Sequence, residues 1–373
     1  MYLVKLISRG ILLCSVLFAG CSKCISATSS LMAVSMLTRH GDRAPERGYP
    51  LDPYAEYEWL GGYGALSPKG VRELYLSGLI KSQRYASLLS PTCLIGPCTF
   101  DLNKIYVQSS SVPRCIASAT SFLEAFLPIQ WPQELIVVPP ASEDEILAFG
   151  KPCPNYDSVM RMGPDLNSPE FKEVIDFESE EGQHLLDYLR ERTGLNLTTS
   201  MEMLLLLDTI SVQLDNGFEL PQWAESVYDQ YLTPLSNVAI KIWGDSEYIK
   251  IRSGALLKNI IDRLDNFTNG ISEQNIVFYS AHDMNILGLL YLLDMKHIIT
   301  GSPAYGAVFA MELHENGEVD DDLEVKIVYY THYGDENPIE VSIPNCEAPC
   351  PFKTFKDSVE SKLTLNYEQA CLE

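Results

Sequence analysis

The sequence predicts an α/β fold: a mixed central sheet with flanking helices and a helical cap inserted into it. Three observations carry this. The segments "LMAVSML" (31–37), "KIYVQSS" (104–110) and "IVFYS" (276–280) are short runs of strand length bounded by turns, as in buried strands. The second and third run on into "SVPRCIASATSFLEAF" and "AHDMNILGLLYLLD", which read as turn and helix, so strands alternate with helices. Between them, roughly 140–265, the chain is acidic and helical in pattern, with "SMEMLLLLDTISVQL" its strongest segment.

Taken in order, the chain opens as a secretory signal does. Lys5 and Arg9 precede the apolar "ILLCSVLFAG" (11–20), which is too short to span a bilayer comfortably, and small residues follow as far as Ala27. Residues 1–27 are therefore expected to be a signal peptide, with an uncleaved anchor ranking below it. Residues 28–373 are expected to form the mature chain, with the cap inserted at about 140–265. No second long apolar run follows, so no membrane anchor is expected after cleavage. In "LSPKGVRELYLSGLIKSQRYASLL" (66–89), Val71, Leu74, Tyr75, Gly78 and Leu79 recur as on the apolar stripe of an amphipathic helix. Pro68 sits near its start, where proline is tolerated. Pro139-Pro140 and "NFTNG" (266–270) border the middle region, and "LEVKIVYYTHYG" returns to strand-like texture.

An exported chain uses its cysteines for pairing. Beyond Ala27 these are Cys93, Cys98, Cys115, Cys153, Cys346, Cys350 and Cys371. Cys93/Cys98 and Cys346/Cys350 bracket short loops and read as local pairs; Cys153 and Cys371 are the long-range candidates. Cys115, in an apolar helical stretch, reads as a buried free thiol. Asn196 (NLT) and Asn266 (NFT) are glycosylation sequons. The net charge of −23 argues against nucleic acid as a partner, and it requires any anion site to be a local basic cluster.

Such a cluster is predicted. Ligands of open α/β sheets bind beyond the carboxyl ends of the strands. Arg39, His40 and Arg43 follow the first strand, Arg114 the second, and His282-Asp283 the third. Singly, each is ordinary: a surface loop, a helix-start ion pair, a helix cap. Together they bring three arginines to one pocket, which suits a compact, multiply charged anion such as a phosphoryl group. The arginines oppose protonation of His40 and leave it a nucleophile; Asp283 is the carboxyl placed to protonate a leaving group. No metal-ligand spacing and no Gly-rich phosphate loop occur, so neither metal nor nucleotide cofactor is expected. His184, His297, His314 and His332 default to structural roles.

"LTRHGDRAPERGYP" resembles the R-H-G-x-R-x-P signature of the histidine acid phosphatases, and "YSAHDMNILGLL" resembles their downstream His-Asp element. The likeness is closest to the prostatic and lysosomal branch. "LSPKG", "VQSSSVPRCIASA", "KPCPNY", "LPQWA" and the "CEAPC" tail follow in family order. The resemblance implies a phosphoglycerate mutase-like sheet with an inserted cap, and a secreted or lysosomal enzyme acting on small-molecule or peptide phosphomonoesters without cofactor. It implies His40 as the phosphorylated nucleophile, Arg39, Arg43, Arg114 and His282 as phosphate ligands, and Asp283 as proton donor. It also implies Cys153–Cys371 and Cys346–Cys350 disulfides, and a homodimer. The chain departs from the family at Ser110-Ser111, Pro113, Cys115 and Met284. Two other readings rank lower. A phytase-like inositol-phosphate phosphatase would need more Lys and Arg than this acidic chain offers, and a secreted phosphate-binding protein would lack turnover.

Overall fold

β1 (Ser30–Arg39), β2 (Ile105–Ser109), β3 (Ile136–Val137), β4 (Ile276–Ala281), β5 (Val308–Glu315), β6 (Glu324–Tyr330) and β7 (Ile339–Val341) join in one sheet of order β3-β2-β4-β1-β5-β6-β7. The computed structural model describes residues 30–90, 99–157, 162–317, 319 and 323–373. The expected signal peptide and the Cys93/Cys98 pair lie outside the described residues.

The sheet is mixed, as expected. β3, β2, β4 and β1 run parallel; β5, β6 and β7 are antiparallel to their neighbours. The three strands read from the sequence are neighbours, with β4 in the middle. Their register sets Arg39 level with Ala281 and Ser109 level with Ser280, so their carboxyl ends open on one edge. The sequence reading did not single out β5. Its antiparallel pairing with β1 sets Val308 beside Thr38, which brings the preceding loop to that same edge.

Both faces of the sheet are covered, which is why β4 is apolar without alternation. Ile276 and Phe278 face one layer, with α1 (Pro68–Arg84) and α2 (Pro113–Phe126). Val277, Tyr279 and Ala281 face α6 (Glu247–Thr268), α7 (Asp283–Leu292) and α8 (Phe352–Val359). Phe278 stacks on Phe122 at 4.2 Å between centroids, and each fully buried side chain of this size contributes roughly 1.5–3 kcal/mol.

Between β3 and β4 lie α3 (Glu180–Thr193), α4 (Ser200–Asp215) and α5 (Thr233–Gly244), which share an apolar cluster of their own around Leu189, Leu206, Ile210 and Leu235. Their ends are written locally. The Ser179 side chain accepts from Gly182 N–H, Gly194 closes α3 at φ 73°, and Thr199 with Glu202 forms a capping box on α4. Among the described residues, no helix is long and apolar enough to cross a membrane.

α1 is a helix where expected, but turned. It buries Gly70, Glu73, Leu74, Ser77, Gly78 and Lys81 and exposes Val71, Tyr75 and Leu79. Close approach and polar satisfaction decide the face. A Cβ on Gly78 would lie 2.2 Å from the Phe122 carbonyl, so only glycine lets α1 and α2 pack this tightly. Glu73 accepts from Asp42 N–H at 2.8 Å, and Lys81 lies 4.1 Å over the Tyr330 ring and donates to the Tyr333 carbonyl. Cys153 pairs with Cys371 and Cys346 with Cys350; Cys115 is a buried free thiol.

Candidate active site

β1 delivers Arg39 at its last position and His40 just beyond it, where His40 N–H donates to the Ala281 carbonyl (3.0 Å) and so ties the loop to β4. Gly41 then passes α1 so closely that a Cβ would sit 2.5 Å from the Gly70 carbonyl; this is the backbone reason for glycine in "RHG". β4 ends one residue before His282, and α2 opens with Pro113 and Arg114. The six predicted side chains thus converge on one edge of the sheet.

His40 is 2% exposed. Its Nδ1 donates to the Gly41 carbonyl at 2.9 Å, which leaves Nε2 with its lone pair. Burial, then Arg39, Arg114 and His282, push its pKa well below the usual 6.5. The sequence attributed this to the arginines; burial is the larger cause. His282 lies edge-on to His40, centroids 5.6 Å apart, and its Nε2 is 3.1 Å from Ser110 Oγ and 3.7 Å from Cys115 Sγ. Burial and Arg114 hold it at about 3, so it too is neutral.

The three arginines are each paired with a carboxylate. Arg39 meets Asp283 at 3.1 Å, Arg43 forks onto Asp208 at 2.8 and 3.0 Å, and Arg114 meets Glu46 at 2.8 Å. Arg39 also donates to the Pro303 carbonyl and lies 4.3 Å over the Tyr305 ring. The Nε–H groups of Arg39, Arg43 and Arg114 are buried without a hydrogen-bond partner among the described residues. Three unsatisfied charged donors in one cleft are a feature that an oxyanion would relieve.

Asp283 is the first residue of α7, and His282 is the cap, where the sequence reading allowed Asp283 to cap as well. Its Oδ1 accepts from Met284 N–H and its Oδ2 from Ser302 Oγ, both at 2.8 Å. Burial works to raise its pKa, but Arg39, Ser302 and His282 overcome it and hold the carboxyl at about 2. In the resting site Asp283 is an anion.

The sequence profile of the histidine phosphatase superfamily (branch 2) matches residues 30–330. The chain belongs to that family. This histidine phosphatase is 28% identical over 358 residues to human (Homo sapiens) lysosomal acid phosphatase, covering 92% of this chain and 80% of that protein. It is 26% identical over 360 residues to Mus musculus prostatic acid phosphatase, covering 92% and 89%. Among solved structures, Hafnia alvei phytase in complex with tartrate matches with TM-score 0.64 and 17% identity, over 92% of this chain and 98% of that one. A Klebsiella sp. ASR1 phytase matches with TM-score 0.63 and 17% identity, over 92% and 97%. At such identities the structural likeness speaks for the fold.

Several site residues of this histidine phosphatase carry no local sequence signal. Glu46 reaches the cleft through the loop after His40, Asp208 on helix α4, and Ser302 and Tyr305 through the loop before β5, and each is recognisable only once those segments are placed. Ser110 was visible as a departure from the family pattern, without an assigned role; it lies against His282.

Proposed function

We propose that the protein is a secreted or lysosomal acid phosphatase that hydrolyses phosphomonoesters through a phosphohistidine at His40. The observation that carries this is the His40 ring: its Nδ1 is fixed on the Gly41 carbonyl, its Nε2 is left with a lone pair, and burial, then Arg39 and Arg114, depress its proton affinity.

The phosphoryl oxygens are taken by Arg39, Arg43 and Arg114, with His282 as a neutral N–H donor. The guanidinium groups supply the positive charge that phosphoryl transfer needs. His40 Nε2 forms a bond to phosphorus as the ester P–O bond breaks, and the Asp283 carboxyl gives its proton to the departing oxygen. Asp283 is an anion before substrate binds. Phosphoryl oxygens on Arg39 weaken its hold on Asp283 and set negative charge beside it; both raise the carboxyl's affinity for a proton. In the second half Asp283 takes a proton from water, whose oxygen attacks phosphorus. The P–N bond breaks, releasing phosphate and free His40.

The remaining assignments follow the same reading. Residues 1–27 serve as signal peptide, and the insertion expected at 140–265 serves as a cap beside the cleft through α3, α4 and α5, while α6, at its end, packs on the sheet. Asn196 and Asn266, both exposed, carry glycans, and the mature enzyme forms homodimers. Hydrolysis of p-nitrophenyl phosphate at pH 5, unaffected by chelator, tests the activity. The wild type turns it over and His40→Ala does not; full activity in His40→Ala would overturn the mechanism.

A further inference from the structure

The three arginine–carboxylate pairs of the cleft are not alike. Asp283 is tied down by Ser302 Oγ and its own helix start, and it has a role in the reaction. Asp208 grips both arms of Arg43 and accepts from Glu46 N–H at 3.1 Å, so it is fixed by three donors. Glu46 is different. Its carboxylate meets Arg114 at 2.8 Å and Arg43 at 3.7 Å through one oxygen, Oε1, and its side chain is 35% exposed, the most open of the three. It stands at the mouth of the cleft, where Gly64 leaves it room: a Cβ there would lie 3.2 Å from Glu46 Oε2 and 3.5 Å from an Arg114 nitrogen.

Charge makes this position consequential. Three guanidinium groups face three carboxylates, and both histidines are neutral, so the resting cleft carries no surplus positive charge. A phosphoryl dianion must share Arg114 with Glu46, and any further anionic group on the leaving group meets the Glu46 carboxylate near the opening. The chain as a whole, at −23, adds repulsion of the same sign.

We propose that Glu46 is a specificity-determining residue: it loosens phosphoryl binding at Arg114 and turns away anionic leaving groups, so that the preferred substrates are monophosphate esters of neutral or cationic alcohols. The inference rests on the acid phosphatase reading and narrows its substrate class. A partly exposed ion pair is worth up to about 1 kcal/mol, which corresponds to an effect of up to roughly 5-fold on binding.

The test is steady-state kinetics of wild type, Glu46→Gln and Glu46→Asp with p-nitrophenyl phosphate, phosphocholine and inositol hexakisphosphate, with inorganic phosphate as competitive inhibitor. In Glu46→Gln the Ki of phosphate falls roughly 2- to 5-fold. The kcat/KM ratio of inositol hexakisphosphate to phosphocholine rises about tenfold or more, since several phosphates lose the same repulsion. Glu46→Asp, which keeps the charge, restores the wild-type order of preference and so separates charge from packing. An unchanged Ki, or a ratio that does not move, in a variant that turns over p-nitrophenyl phosphate overturns the assignment to Glu46 and leaves the phosphatase reading standing. A wild type without turnover of p-nitrophenyl phosphate overturns the reading itself, and this inference with it.

Discussion

His282→Asn should make the fold less sensitive to acid. His282 is 8% exposed and held at about 3, against an ordinary value near 6.5. Its folded pKa is depressed, so the native state keeps it neutral while the unfolded chain takes up a proton below about pH 6.5. Its contribution is therefore intact above that value and is lost as the pH falls from there toward 3. Between pH 7 and pH 5 the unfolded chain gains about 1.5 pH units of protonation that the native state refuses. At 1.36 kcal/mol per unit this is a loss of about 2 kcal/mol from one residue. Asparagine cannot titrate and keeps a polar side chain at this position. Urea unfolding at pH 7, 6 and 5 in acetate and MES buffers, with disulfides intact, measures the difference. The fall in unfolding free energy from pH 7 to 5 should be about 2 kcal/mol smaller in His282→Asn than in wild type. Parallel pH profiles would show that His282 is protonated in the native state, and the account of a neutral phosphate donor would fail.

Asp283→Asn should separate substrates by leaving group: an alkyl phosphate slows about 10²-fold or more, p-nitrophenyl phosphate by less than about tenfold, because general-acid help matters most for poor leaving groups. Equal losses on both, in rapid-quench measurements of alcohol release, would remove Asp283 from that role. Glu312, 1% exposed, accepts from Arg84, Tyr85 and His314; burial opposes its charge, but these donors outweigh it and hold the carboxyl at about 2. A depressed carboxyl stabilises above its unfolded value and loses that as the pH falls toward 2, so Glu312→Gln should cost about 3 kcal/mol at pH 7 and nearly as much at pH 5. Urea midpoints at the two values measure it, and a cost that vanishes by pH 5 would contradict the pairing.

What the sequence showed was whatever a strand end carries with it. Arg39, His40, Arg114, His282 and Asp283 could be placed because each follows or opens an element whose pattern is local, and parallel strands in one sheet bring those ends together. What it hid were partners arriving from elsewhere. Asp208 reaches Arg43 from α4, across 165 positions, and Tyr305 packs on His40 and Arg39 because β5 returns beside β1. Periodicity found α1 but only part of its buried face, for a related reason. Counting apolar residues chose Val71, Leu74, Tyr75, Gly78 and Leu79; Leu74 and Gly78 do face inward, but beside them the structure buries Glu73 and Lys81, whose partners Asp42 and Tyr333 belong to other segments. A hydrophobic stripe cannot report a buried polar group whose satisfaction is long-range.

The central claim is a covalent bond between His40 Nε2 and phosphorus, and it can be trapped. Wild-type protein mixed with 32P-labelled substrate at pH 5 and quenched in alkali within milliseconds should retain label. That label should be stable to base, labile to acid, and located by peptide mapping on the segment containing His40. His40→Ala should retain none. Label that is absent from the quenched wild type during rapid turnover, or that persists in His40→Ala, would contradict the account.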